Sequence, residues 1–216
     1  METFRYVNRE QKVLLYIAYI SAGLNFLIMP LYIIGIPFLE KEVFHVTNEM
    51  YDISETCVGA GVIIGALIVG IWGKAFSMEK FHYLFVVLAI VILGMGCTTL
   101  TSVMKQDGVS YLAYFMLTIT GFFFTVYITI SSIVVITFIQ KASPKAHIGK
   151  IVSLINAFST IFLPVGQVLL GWLYEVIGNY IFLYAGVALI TLLESRLIKK
   201  IIKGAKVRAC MQTMTP

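Results

Sequence analysis

Residues 108–140 read GVSYLAYFMLTITGFFFTVYITISSIVVITFIQ, a run of 33 residues without a charged side chain. As an α-helix the run would be about 50 Å long, well beyond the roughly 30 Å hydrocarbon core of a bilayer. It predicts a spanning helix with part of its length outside the hydrocarbon. Five further charge-free runs surround it: Val13–Leu39, Thr56–Gly73, Phe81–Met104, Ile151–Tyr174 and Val176–Leu193. A spanning helix needs about 17–25 apolar residues, so the pattern predicts six crossings. A transmembrane barrel is excluded, because its strands would alternate polar and apolar residues with period two over about 10 residues.

Composition agrees. Of 216 residues, 59% are hydrophobic and 12% charged, about half the charge of an average soluble domain. A mean hydropathy of +0.92 leaves too few polar residues to cover a water-facing globule. A soluble enzyme, a nucleic-acid module and a disordered tail are excluded. The fold class expected is an all-α membrane protein in contact with the lipid bilayer.

The net charge of +5 is distributed by topology. With a cytoplasmic N-terminus and six crossings, Arg5, Arg9, Lys12, Lys74, Lys80, Lys141, Lys145, Lys150, Arg196, Lys199, Lys200, Lys203, Lys206 and Arg208 lie inside. Only Lys41 and Lys105 lie outside, a split of 14 to 2. The positive-inside rule then predicts a multi-pass protein of the cell membrane with both termini cytoplasmic.

The expected organisation is a cytoplasmic segment 1–12, a bundle 13–195 and a basic tail 196–216. The bundle divides into two sets of three helices near Lys105–Gly108. The connection Glu40–Glu55 is acidic and lies outside; Lys74–Lys80 is a short inner link. Ser143-Pro144 has the chemistry of a helix start. Trp72 and Tyr83 at inner ends, and Tyr111, Trp172, Tyr174 and Tyr180 at outer ends, match an aromatic belt. Cys57, Cys97 and Cys210 show no CxxC spacing, so neither a disulfide framework nor zinc is implied. The charged N-terminal segment is not a secretory signal.

No catalytic constellation is visible. His45, His82 and His147 lie in or beside connections, and no HExxH, phosphate-loop or dinucleotide motif occurs. No metal or cofactor is expected. The informative residues are neutral and intramembrane. Thr118, Gly121, Thr125, Thr129 and Ser132 share one face of the fourth helix. Ser153, Asn156, Thr160, Pro164, Gln167 and Gly171 share one face of the fifth, and Ser21, Asn25 and Tyr32 one stripe of the first. Such faces point into a bundle or a wet cavity. A lone Ser or Thr reads most simply as helix glue. Asn25, Asn156 and Gln167 carry larger amides and are the stronger candidates for a cavity wall shared by the fourth and fifth helices. Pro30 and Pro37 are expected to kink or end the first helix, and Pro164 frees the carbonyl of Thr160. Gly61 and Gly65 form a GxxxG in the second. The sixth helix reads as peripheral and lipid-facing. No acidic residue is expected at mid-membrane: Glu55, Glu175 and Glu194 fall near helix ends.

The stretch QKASPKAHIGKIVSLINAFSTIFLPVGQVLLGWLYEVIG, from Gln140, resembles the major facilitator superfamily in its macrolide-efflux and drug:proton antiporter branch. Gln140, Pro144, Gly149, Lys150, Ile151, Ser153, Pro164, Gly166 and Gly171 carry the pattern. The opening FRYVNREQKVLLYIAYISAGLNFLIMPLYI and the segment YDISETCVGAGVIIGALIVG are similar to the linker and first two helices of that family's C-terminal half. The resemblance implies one six-helix bundle, built as a 3+3 inverted repeat, of a two-bundle transporter. It implies a small lipophilic substrate; the polar stripes supply the substrate-cavity candidates Ser21, Asn25, Thr118, Thr125, Thr129, Asn156, Thr160 and Gln167, and the gating or kink candidates are Pro30, Pro37, Gly149, Lys150 and Pro164. The family's inner-loop motif is degraded here to Gly70-Ile-Trp-Gly73-Lys74, without its aspartate. A second six-helix bundle, separate or from a homodimer, is then required for transport. The alternatives are a non-transporting fragment or assembly partner, and a complete six-helix channel or carrier.

Overall fold

The computed structural model describes residues 12–73, 76, 80–100, 109–143 and 147–214. The segment 1–11, most of the 74–79 link, the 101–108 break and Pro144 lie outside the described residues. So do the side chains of 201–214, and with them most of the basic tail.

Six helices cross the described chain: α1 (Leu14–Val43), α2 (Asn48–Trp72), α3 (Phe81–Cys97), α4 (Tyr111–Ala142), α5 (Ile148–Val176) and α6 (Tyr180–Met214). Five of them are long and apolar enough to span a bilayer; α3 is shorter, with 17 residues. The molecule is a multi-pass helical membrane protein.

Helix α1 runs on through both prolines, so of the two expectations, a kink or an end, neither Pro30 nor Pro37 ends it. Each lacks the N–H that the carbonyl four residues earlier would accept, and its ring crowds that carbonyl. The backbone accommodates them by widening into π-helical turns at Leu24–Ile28 and Leu31–Gly35, and a third such turn runs over Leu39–Val43. The helix therefore continues through Glu40 to Val43, and α2 starts at Asn48. The acidic connection expected over 40–55 shrinks to the turn 44–47. His45 ends α1 with a left-handed φ of 53°. Phe44 N–H donates to the Leu39 carbonyl at 2.8 Å and Val46 N–H to the Glu40 carbonyl at 3.0 Å. Thr47 caps α2, its hydroxyl accepting from Met50 N–H at 3.3 Å.

Helix α5 keeps helical dihedrals through Ile161 (φ −58°, ψ −30°), whose N–H donates to the Ala157 carbonyl at 3.3 Å; what Pro164 removes is the donor to the Thr160 carbonyl.

Packing runs in pairs: α1 with α5, α2 with α4, and α3 with both α4 and α6. One apolar cluster, including Leu31, Leu39, Phe44, Ile92, Leu117, Phe124 and Tyr184, fills the end nearest the 44–47 turn. A second, including Leu14, Phe85, Ile130, Val134, Ile151 and Ile198, fills the opposite end. Helix α6 is one-sided rather than peripheral. Leu183, Tyr184, Val187, Ala188, Thr191 and Ser195 are buried, while Phe182, Leu189, Ile190 and Leu193 are exposed. It continues without a break past Arg196, with Ile198 buried and Lys199 and Lys200 exposed.

Candidate functional site

Glycines set the helix spacing. A Cβ at Gly61 would lie 2.6 Å from the Phe122 carbonyl oxygen, and one at Gly65 would lie 2.8 Å from that of Val126. The GxxxG of α2 is therefore the seat of α4. Thr125 completes the contact: its hydroxyl donates to the Val58 carbonyl at 2.7 Å. Thr129 packs against Gly65, and a Cβ at Gly121 would touch Val58 and Ile36. Much of the polar stripe of α4 thus docks onto α2 instead of sharing a cleft with α5. The reason is shape, since the glycines admit a hydroxyl-bearing helix face at close range. Thr118 is half-buried and its hydroxyl returns to the Tyr114 carbonyl at 2.9 Å.

The polar stripe of α5 is placed differently. Its buried face is Ile151, Ile155, Ser159, Gly166, Leu170 and Tyr174, which packs inward. Ser153, Asn156, Thr160 and Pro164 are exposed, and Gln167 is half-buried. None of the side chains of Ser153, Asn156, Thr160 and Gln167 hydrogen-bonds a described residue. The Thr160 carbonyl, left without its helical donor by Pro164, falls in the middle of this face. Beyond it an open apolar groove is lined by Pro164, Val165, Val168, Leu169 and Trp172. Gly149 and Lys150, at the start of α5, are exposed, and a Cβ at Gly149 would meet nothing.

On α1, Asn25 satisfies itself locally: its Nδ2 donates to the Ser21 carbonyl at 2.9 Å. Both residues are half-buried and neither reaches the α5 stripe by a hydrogen bond. Pro30 is buried against Gly166. Pro37 is half-buried near the 44–47 turn.

Three buried polar features escaped the sequence reading. Tyr174, expected in the aromatic belt, is 2% exposed. Its hydroxyl donates to that of Tyr184 at 2.8 Å, and both hydroxyls lie against Gly35 of α1. Glu40, assigned to a loop, is fully buried and accepts from the Ser54 hydroxyl at 2.8 Å. Glu194 of α6 rests its carboxylate on Gly23 of α1. Glu40, assigned to the outer connection, is thus buried near the outer end of α1, not at mid-membrane. It lies in the π-helical turn at Leu39–Val43, closed by Phe44 N–H to the Leu39 carbonyl at 2.8 Å. Of the remaining belt residues, Trp72, Tyr83, Tyr111 and Trp172 are exposed, while Tyr180 is half-buried against Phe38 and Tyr174.

Among the described residues no group of three His, Cys, Asp or Glu side chains converges to hold a metal. No protein-family model matches the chain, and no curated protein or solved structure matches it. The class defined by the fold is a helical membrane protein with five to six long apolar helices.

Proposed function

We propose that this chain is one six-helix half of a secondary transporter of the major facilitator type, and that it moves small lipophilic molecules once a second six-helix bundle faces it. The observation that carries the reading is the exposed stripe Ser153, Asn156, Thr160 on a membrane-spanning helix. Unsatisfied amides and hydroxyls facing hydrocarbon cost several kcal/mol each. A helix that presents them outward is built to face water or a partner. Pro164 lies within the same face and leaves the Thr160 carbonyl without its helical donor, adding a backbone acceptor to the stripe. The resemblance of the 140–178 stretch to drug-efflux permeases supports the same reading. On it the chain is a permease of the cell membrane with both ends cytoplasmic, and it carries no catalytic chemistry.

A single bundle has nothing to rock against, so alternating access needs the second one. The test is drug accumulation in cells expressing the chain alone and together with a candidate six-helix partner. Reduced accumulation only in the pair supports the reading. Gradient-driven flux by a demonstrated monomer in proteoliposomes would replace it with a complete six-helix carrier. No flux in any pairing, with the stripe inaccessible to aqueous reagents, would favour the assembly partner.

A further inference from the structure

We infer that Glu40 is a proton-binding site, and that its proton fastens α1 to α2 beneath the 44–47 turn. The site stands whether or not the chain transports. Glu40 has no exposed surface, although it lies in a spanning helix. Its Oε2 accepts the Ser54 hydroxyl at 2.8 Å, and its Oε1 has no hydrogen-bond partner. An ionised carboxylate offers about four acceptor positions, and this packing fills one.

The surrounding charges leave it unpaired. Lys41, next in sequence, sends its Nζ to Asn48 Oδ1 at 2.6 Å and over the Tyr51 ring at 4.7 Å from the centroid. Glu55, from α2, adds a like charge, against which the charge of Lys41 acts favourably but without an ion pair. Tyr51 from α2 and Tyr114 from α4 are the other titratable groups close enough to feel it. Tyr114 is already committed, donating its hydroxyl to the Met50 carbonyl at 2.8 Å. Glu42, His45, Glu49 and Asp52 are exposed around the turn. A buried carboxylate with one hydrogen bond and no counter-ion is far less favourable than the neutral acid, and groups so placed neutralise. A divalent cation fits less well. The two carboxylate oxygens and the Ser54 hydroxyl supply three donors where hard cations take six or more.

Loss of the proton leaves a buried charge held by the single hydrogen bond from Ser54. The relief available is to let water reach Oε1 by parting α1 from α2 at the turn. At that turn Phe44 and Val46 are buried, and the backbone hydrogen bonds are Phe44 N–H to the Leu39 carbonyl at 2.8 Å, Val46 N–H to the Glu40 carbonyl at 3.0 Å and Ser110 N–H to the Phe44 carbonyl at 3.2 Å, with His45 in the left-handed conformation. The proton adds to one carboxylate oxygen and is returned to solvent when the turn opens, so no other reactant is needed.

The test is infrared difference spectroscopy on the full chain in lipid nanodiscs, titrated from acid to alkali. A protonated-carboxyl band lost on alkalinisation is expected in the unmodified chain. It should be absent from Glu40→Gln, retained by Glu194→Gln, and moved to higher frequency by Ser54→Ala, which removes the donor. Hydrogen exchange over residues 39–58, normalised for intrinsic rates, should quicken severalfold with rising pH in the unmodified chain and in His45→Gln. It should be insensitive to pH in Glu40→Gln. A band that survives Glu40→Gln and ignores Ser54→Ala overturns the site. Exchange in Glu40→Gln with the same pH dependence as the unmodified chain overturns the latch.

Discussion

The carbonyl oxygen of Phe26 lies against Gly166, so close that a Cβ there would collide with it. Phe26 is four residues before Pro30, so its carbonyl is the one that Pro30 leaves without an intrahelical donor. A proline in α1 and a glycine in α5 are thus two halves of one contact. The proline exposes backbone polarity, and the glycine lets the neighbouring backbone approach and cover it.

Gly166→Ala should accordingly destabilise the bundle by about 1–3 kcal/mol, the usual cost of overpacking a tight contact. Gly149→Ala and Gly171→Ala, where an added Cβ meets nothing, should lie within about 0.5 kcal/mol of the unmodified chain or gain slightly from helix propensity. Thermal unfolding of the three variants in the same detergent measures this. Equal loss in all three would mean the α1–α5 contact is not tight.

The seat of α4 on α2 is tested by the same logic. Gly61→Ala and Gly65→Ala should lower the melting temperature, while Gly59→Ala and Gly70→Ala, on the open side of α2, should not. Thr125→Val should cost about 1 kcal/mol through its lost hydrogen bond to the Val58 carbonyl. A milder effect at Gly61 than at Gly59 would refute the assigned face.

The Tyr174–Tyr184 pair should behave as a unit. Tyr174→Phe removes the donor and leaves the buried Tyr184 oxygen unfilled; Tyr184→Phe removes the acceptor. Each single change should cost about 1–3 kcal/mol, and the double change less than their sum. A double-mutant cycle by unfolding in detergent reads the coupling, and strict additivity would show that the hydroxyls do not interact.

Accessibility separates the two polar stripes. In a background free of Cys57, Cys97 and Cys210, Asn156→Cys and Thr160→Cys should react with a membrane-impermeant thiol reagent. Thr125→Cys, 5% exposed and facing α2, should not, and neither should Ile190→Cys on the exposed apolar face of α6. Loss of the Asn156 and Thr160 reactivity on adding a partner bundle would place that bundle on α5. Uniform reactivity at all four positions would show that the stripe of α5 faces no particular aqueous space.

Much was legible in the sequence alone. Charge-free runs located all six helices, because hydrocarbon excludes charge and fixes helix length. Gly61 and Gly65 forecast close packing, because a missing side chain acts on the local backbone. The ends of α1 and α2 were not legible. Glu40 and the residues up to Glu55 look like a loop by charge, yet Glu40 is buried and α2 begins at Asn48. Charge content cannot tell an exposed acid from one buried in a π-helical turn. The destination of each polar stripe was equally hidden. Thr125 and Asn156 carry the same kind of signal, a polar group at helical spacing. Which of them meets a neighbouring helix and which stays uncovered depends on how α2, α4 and α5 are set side by side. Spacing along one helix fixes a face; only the packing of helices far apart in the chain decides what that face meets.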